Sequence, residues 1–206
     1  MKKLLSVLLA FTGSIMCLKA QVTTKPLLPN QIPATAKYIG KVVKALQLSD
    51  ASGTYITFTT ETGITAGKEE DMRKAALYAY CYKVNGKLTT AVWQVKDFVD
   101  DCPVDVKANF VPGSFTVTDL DNNGIAEIWM LYQTACRGDV SPDTMKLIMY
   151  QGNKKHAMRG TTKVEVSAKN YEGGTYNMDQ AFQKVKPVIK QYAVALWNKN
   201  VKQKWE

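Results

Sequence analysis

The residues from 118 to 129, TDLDNNGIAEIW, hold the most chemically pointed spacing in this 206-residue chain. Asp119, Asp121 and Asn123 put oxygen ligands at positions one, three and five of a loop. Gly124 follows at six, Ile125 offers a backbone carbonyl at seven, and Glu127 a carboxylate at nine. Calcium is a hard cation that takes six to eight oxygens, and a glycine at position six permits the sharp turn that lets alternate residues converge. The spacing therefore predicts a calcium loop with Asp119, Asp121, Asn123, Ile125 and Glu127 as ligands. Position twelve is Met130, and the flanks read as strands, which excludes an EF-hand. A competing reading needs no ion: Asp and Asn accept backbone hydrogen bonds within tight turns.

Other chemistry is sparse. The single histidine, His156, sits in a strand-like run with no nucleophile motif beside it. A Cys/His zinc set and a Gly-rich phosphate loop are both missing from the sequence. A two-carboxylate glycan chemistry drawing on Asp100, Asp101, Asp105 or Glu127 is compatible with composition, but no spacing singles out a pair. No catalytic residue is assigned. A non-catalytic role is preferred, with a carboxylate-dependent glycan-active enzyme or a protein-interaction module as alternatives.

The elements that must position the loop are hairpins. SFTVTDL and IAEIWMLYQTA flank it as strands, and TMKLIMYQ returns to KKHAMRGTTKVEV across Gly152-Asn153. Upstream, IGKVVKALQLS and TYITFTTET are β-branched runs on either side of Asp50-Ala51-Ser52-Gly53. In ALYAYCYKVNGKLTTAVWQV, Asn85-Gly86 is the favoured two-residue I′ turn. That register sets Tyr82 opposite Thr89, Tyr80 opposite Ala91 and Tyr78 opposite Trp93. It gathers Tyr78, Tyr80, Tyr82 and Trp93 into an aromatic stripe that either packs in a core or stacks on sugar rings.

Near the end, Asn177-Met178-Asp179-Gln180 reads as a helix start with a capping-box glutamine. Val185, Ile189, Tyr192 and Leu196 recur at helical spacing, and Pro187 kinks or restarts that helix. The expected fold is mainly β (α+β): an antiparallel, hairpin-built sheet or sandwich closed by a C-terminal amphipathic helix from about residue 177. Residues 37–206 form one domain, and residues 21–36, with Pro26, Pro29 and Pro33, an extended arm leading into it.

Residues 1–20 read as a signal peptide. A Met1-Lys2-Lys3 n-region precedes an apolar stretch too short to span a bilayer, and Ala20 offers a cleavage point. Export to the periplasm or cell surface is expected, with no transmembrane segment left after cleavage. Losing Lys2, Lys3 and Lys19 lowers the formal charge from +9 to +6. The cations are mostly lysine; Arg73, Arg137 and Arg159 are the only arginines, an imbalance that argues against nucleic acid. An anionic envelope polysaccharide is the more natural partner.

Cysteine placement agrees with an oxidising compartment. Cys81 falls in a strand-like run, whereas Cys102 and Cys136 sit at element ends suited to bridging. A Cys102–Cys136 disulfide would contribute about 4 kcal/mol in the chain-entropy model.

Two resemblances follow from these residues. The nine-residue loop resembles the D-x-D-x-[DN]-G-x-x-[DE] calcium loops of integrin-type and other extracellular β repeat proteins, where the ion staples a strand-loop-strand turn. The run from Cys102 to Gly160, CPVDV … FTVTDLDNNGIAEIWMLYQTACRGDVSPDTMKLIMYQGNKKHAMRG, resembles a family of small exported Gram-negative proteins loosely labelled as surface polysaccharide biosynthesis proteins. That resemblance implies a part in envelope polysaccharide handling and supplies no catalytic residues.

Overall fold

The computed structural model describes residues 21–203. The leader expected over residues 1–20 lies outside them. Five strands follow one another as an antiparallel meander: β1 (Thr23–Leu27), β2 (Lys41–Asp50), β3 (Gly53–Ala66), β4 (Arg73–Asn85) and β5 (Leu88–Cys102). A second sheet uses β6 (Asp105–Phe110), β7 (Thr116–Thr118), β8 (Glu127–Arg137), β9 (Thr144–Gln151) and β10 (Lys154–Thr161). A small hairpin, β11 (Lys163–Ser167) and β12 (Asn170–Gly173), leads to β13 (Tyr176–Met178). The second sheet runs β13-β10-β9-β8-β6, with β7 also paired to β8. Two helices close the chain, α1 (Gln180–Gln183) and α2 (Pro187–Asn200). The fold is mainly β and antiparallel with a C-terminal helix, as the patterning predicts.

Alternation along the strands builds three apolar layers. Leu46, Leu77, Ala79, Cys81 and Val95 of the first sheet meet Phe110, Ile128, Met130 and Ile148 of the second, forming the sandwich core. The other face of β8 and β9, with Trp129, Leu131, Leu147 and Met149, packs on Phe182, Ile189, Ala193 and Trp197 of the helices. Burial of β8 on both faces explains its near-continuous apolar run. The helix stripe is centred on Ile189, Ala193 and Trp197, one step round from the expected Val185, Tyr192 and Leu196, which flank it half-buried.

Asn177 and Met178 belong to β13 rather than to a helix. The N-cap is Asp179, whose carboxylate accepts from the Phe182 N–H at 2.8 Å. Pro187 restarts the helix at the first position of α2, where its missing N–H costs nothing.

The third layer corrects the aromatic stripe. Tyr78, Tyr80 and Tyr82 lie on the outer face of the first sheet, stacked along β4 with Phe58 and covered by Ile32 and Ala36 of the N-terminal arm. The arm is extended but docked: β1 pairs with β2, and a 3-10 turn at Pro29–Gln31 carries the chain over the tyrosines. The Tyr80 hydroxyl accepts from the Ile39 N–H at 3.1 Å, and the Tyr82 hydroxyl donates to the Lys37 carbonyl.

Trp93 is not in that stripe. The hairpin loop is Gly86-Lys87, with Asn85 paired to Leu88; Gly86 alone has positive φ, 62°, the pattern of a II′ turn. A bulge then lets Tyr82 pair with Ala91 but Cys81 with Trp93, leaving Val92 as the extra residue. Trp93 therefore faces the sandwich core, stacked on Tyr150 at 4.1 Å between ring centroids.

Candidate functional site: an acidic hairpin loop

The eight residues between β7 and β8 form a hairpin loop whose base is the Thr118↔Glu127 pair. One oxygen from each of Asp119, Asp121 and Glu127 can be chosen so that all three lie within 4.8 Å of one another. Three of the five expected ligands are thus brought together. The backbone turns through Asn122 (φ 52°) and Gly124 (φ 79°), and only a residue tolerant of the left-handed region fits there without strain.

The same side chains organise the turn. The two oxygens of Asp119 accept from the Asn123 and Gly124 N–H groups, each at 3.0 Å. Asn123 accepts from the Ile125 N–H at 2.7 Å and donates its amide to Asp121 at 3.1 Å. The Asn123 side-chain oxygen is therefore engaged by the Ile125 N–H, in an Asx turn of the kind that the ion-free reading anticipates, a bond that leaves the Ile125 carbonyl unused.

Glu127 is fully buried, with Oε2 accepting from the Thr118 hydroxyl at 2.7 Å and the Leu120 N–H at 2.9 Å. Burial pushes its carboxyl above the ordinary value. The two donors oppose that shift, and the charges of Asp121 and Asp119 add to it. A carboxylate so placed favours a bound cation, because a cation would offset both desolvation and like-charge repulsion.

Three partners come from distant parts of the chain. Gln151, at the end of β9, donates to Glu127 Oε1 at 3.4 Å and to Asp121 at 3.5 Å. Lys186, the residue capping α2, places its ammonium 3.4 Å from the Asp121 carboxylate. The β2–β3 turn docks from the other sheet: Ala51 N–H donates to the Gly124 carbonyl at 2.9 Å, and Ala126 N–H to Asp50 Oδ2 at 3.1 Å. No local signal points to Lys186 or Asp50, which lie 65 and 76 residues from their partners.

The other expected site residues are structural. Cys102 and Cys136 form a disulfide joining the end of β5 to β8. Cys81 is a buried free thiol, pushed up to about 12 by its burial. Tyr78, Tyr80, Tyr82 and Trp93 are all buried, so none presents a face to a sugar ring. Asp100 and Asp101 turn to Lys68, at 3.6 and 3.1 Å, and do not join Glu127 in a two-acid site. His156 is buried in β10, edge-on to Phe182. Among the described residues no helix is long and apolar enough to cross a membrane.

Comparison with protein-family models, with curated proteins and with solved structures finds no match to this chain.

Proposed function

We propose that this is an exported, non-catalytic β protein of the cell envelope, associated with surface polysaccharide, in which a calcium ion staples the β7–β8 hairpin. The convergence of Asp119, Asp121 and Glu127 carries the calcium assignment. The donor set is all oxygen, the choice of a hard cation, and the loop joins two paired strands. The Cys102–Cys136 bridge supports residence in an oxidising compartment. The association with polysaccharide rests on the resemblance of residues 102–160 and on the basic balance of the chain. The buried tyrosines lend it no support.

The ion is a staple rather than a signal. With an affinity of about 0.1 mM and about 1 mM free calcium, linkage supplies about 1.4 kcal/mol. For a chain of this size that is a rise in melting temperature of about 3–6 °C. Thermal melts in millimolar calcium and in chelator test the loop, and a melting temperature unmoved by calcium would remove the ion from the reading. Retention of fractionated envelope polysaccharide on the immobilised protein tests the association. No retention, with or without chelator, would remove that part.

A further inference from the structure

The first sheet ends at β5, and the second sheet continues past it. β5 lies over β9: Trp93 stacks on Tyr150 at 4.1 Å between ring centroids, and Asp97 meets the Lys146 ammonium at 2.5 Å. β10 is the next strand outward from β9, and the first sheet has no strand beyond β5 to cover it. Lys155, Ala157 and Arg159 pair with Tyr150, Ile148 and Lys146 of β9, so they share the sandwich-facing side. Lys155 and Arg159 are exposed there. We propose that an extended acidic segment of a partner protein adds to β5 as a further strand of the first sheet, with its carboxylates over Lys155 and Arg159 of β10.

The free edge is the first observation. β5 runs for 15 residues without a proline, whereas β1, the opposite edge of the sheet, has 5 residues and carries Pro26. The Phe98 N–H turns away from β4 and is met by the neighbouring Asp97 carboxylate at 3.1 Å. Its cross-strand partner Ala76 likewise donates away from β5, to the Thr62 hydroxyl at 2.8 Å. An antiparallel ladder alternates, so Gln94, Lys96 and Phe98 all direct N–H and C=O groups outward, and no strand pairs with that side. A long edge of this kind is a template for another strand.

Charge is the second and independent observation. The uncovered side of the second sheet carries Lys146, Lys155 and Arg159. Asp97 engages Lys146, and Asp179 stands 4.0 Å from Arg159; Lys155 makes no ion pair among the described residues. Burial pulls Lys155 below its ordinary value, and the charges of Arg159 and Lys146 act in the same direction against Asp97 and Asp179. Lys155 and Arg159 are about 13 Å apart along the strand. Side chains on one face of an incoming strand recur every second residue, so carboxylates four positions apart reach both cations. A second copy does not fit this edge. Pairing β5 with β5 would drive the two β10 overhangs into one space, an obstacle that a lone strand does not meet.

This inference stands apart from the calcium and polysaccharide readings. The probe is the capped peptide Thr-Glu-Thr-Val-Thr-Glu-Thr, followed by NMR exchange of assigned amides. It should bind saturably and slow exchange at Gln94, Lys96 and Phe98. The same peptide N-methylated at its threonines keeps the charge, loses the donors that face β5, and should give no protection. Lys155→Glu, which sets a carboxylate among cations, should weaken binding about tenfold.

Exchange unchanged by millimolar peptide, or slowed equally by the N-methylated form, would overturn strand addition. Equal affinity for a peptide with lysine in place of glutamate, or equal binding by Lys155→Glu, would overturn the acidic partner. Protection that rises with protein concentration alone would give the edge to a second copy. Oligoglucuronate that displaces the peptide at lower concentration would give the cations to polysaccharide, and either result overturns the proposal.

Discussion

The ammonium of Lys186 lies 3.4 Å from the carboxylate of Asp121 and donates to the Asp121 carbonyl at 3.3 Å. A cation of the protein's own thus stands at the edge of the three-carboxylate cluster. Lys186 is mostly exposed whereas Asp121 is nearly covered, so the lysine can leave at little cost. Lys186→Ala should therefore tighten calcium binding, by up to about fivefold, since a pair this exposed is worth at most about 1 kcal/mol. Calcium titrations followed by melting temperature would measure it. A weaker affinity in the variant would show that Lys186 organises the loop rather than competing for it.

Glu127→Gln separates the ion from the turn. In chelator, the raised carboxyl of Glu127 makes its ionised form a burden on the fold. The sign follows from linkage: a carboxyl raised on folding lowers stability as pH climbs from the unfolded value through the folded one. The ion-free variant should therefore be more stable than wild type at pH 7, with the gap closing as pH falls through the carboxylate range. In millimolar calcium the order should reverse. Paired melts from pH 4 to 8 read both effects, and a gap that widens in acid would contradict the burial argument.

The arm over the tyrosines is held by few bonds. Tyr82→Phe removes the donor to the Lys37 carbonyl, a part-buried bond, and should cost about 1–2 kcal/mol. Limited proteolysis should then cut faster between residues 33 and 40. Calcium response and polysaccharide retention should stay unchanged, because this face is packed under the arm. A loss of retention would return the tyrosines to the ligand surface.

Replacing Cys102 and Cys136 together by serine should lower unfolding free energy by about 4 kcal/mol, the loop-closure value for a separation of 34 residues. Cys81 should remain unreactive to thiol reagents in the native protein, because its burial holds it as the neutral thiol. Rapid labelling of Cys81 in folded wild type would contradict its placement.

Strand positions, the disulfide and the core of the acidic loop were legible in the chain because each is encoded locally. Alternation marks strands, bridging cysteines fall at strand ends, and oxygen ligands sit at fixed spacing. The face of Trp93 was not legible. A turn displaced from Asn85-Gly86 to Gly86-Lys87, followed by a bulge at Val92, changes which residues oppose one another. With a side-chain period of two, one extra residue moves everything beyond it to the other face. The arm's docking escaped for a different reason. Its contacts reach across about 40 residues to Tyr80 and Tyr82, and prolines give it no period of its own. Lys186 and Asp50 escaped likewise, since their roles arise only when distant elements meet.

The docking of the β2–β3 turn has a mechanical side. Asp50 and Ala51 belong to one sheet, Gly124 and Ala126 to the hairpin of the other, and two hydrogen bonds couple them. The acidic loop is therefore a hinge pin between the two halves of the sandwich as well as the tip of a hairpin. It shares that coupling with other ties between the sheets, among them Glu61 with the Phe110 N–H and Lys146 with Asp97. A cation held by Asp119, Asp121 and Glu127 would stiffen the joint between the halves well beyond the loop itself.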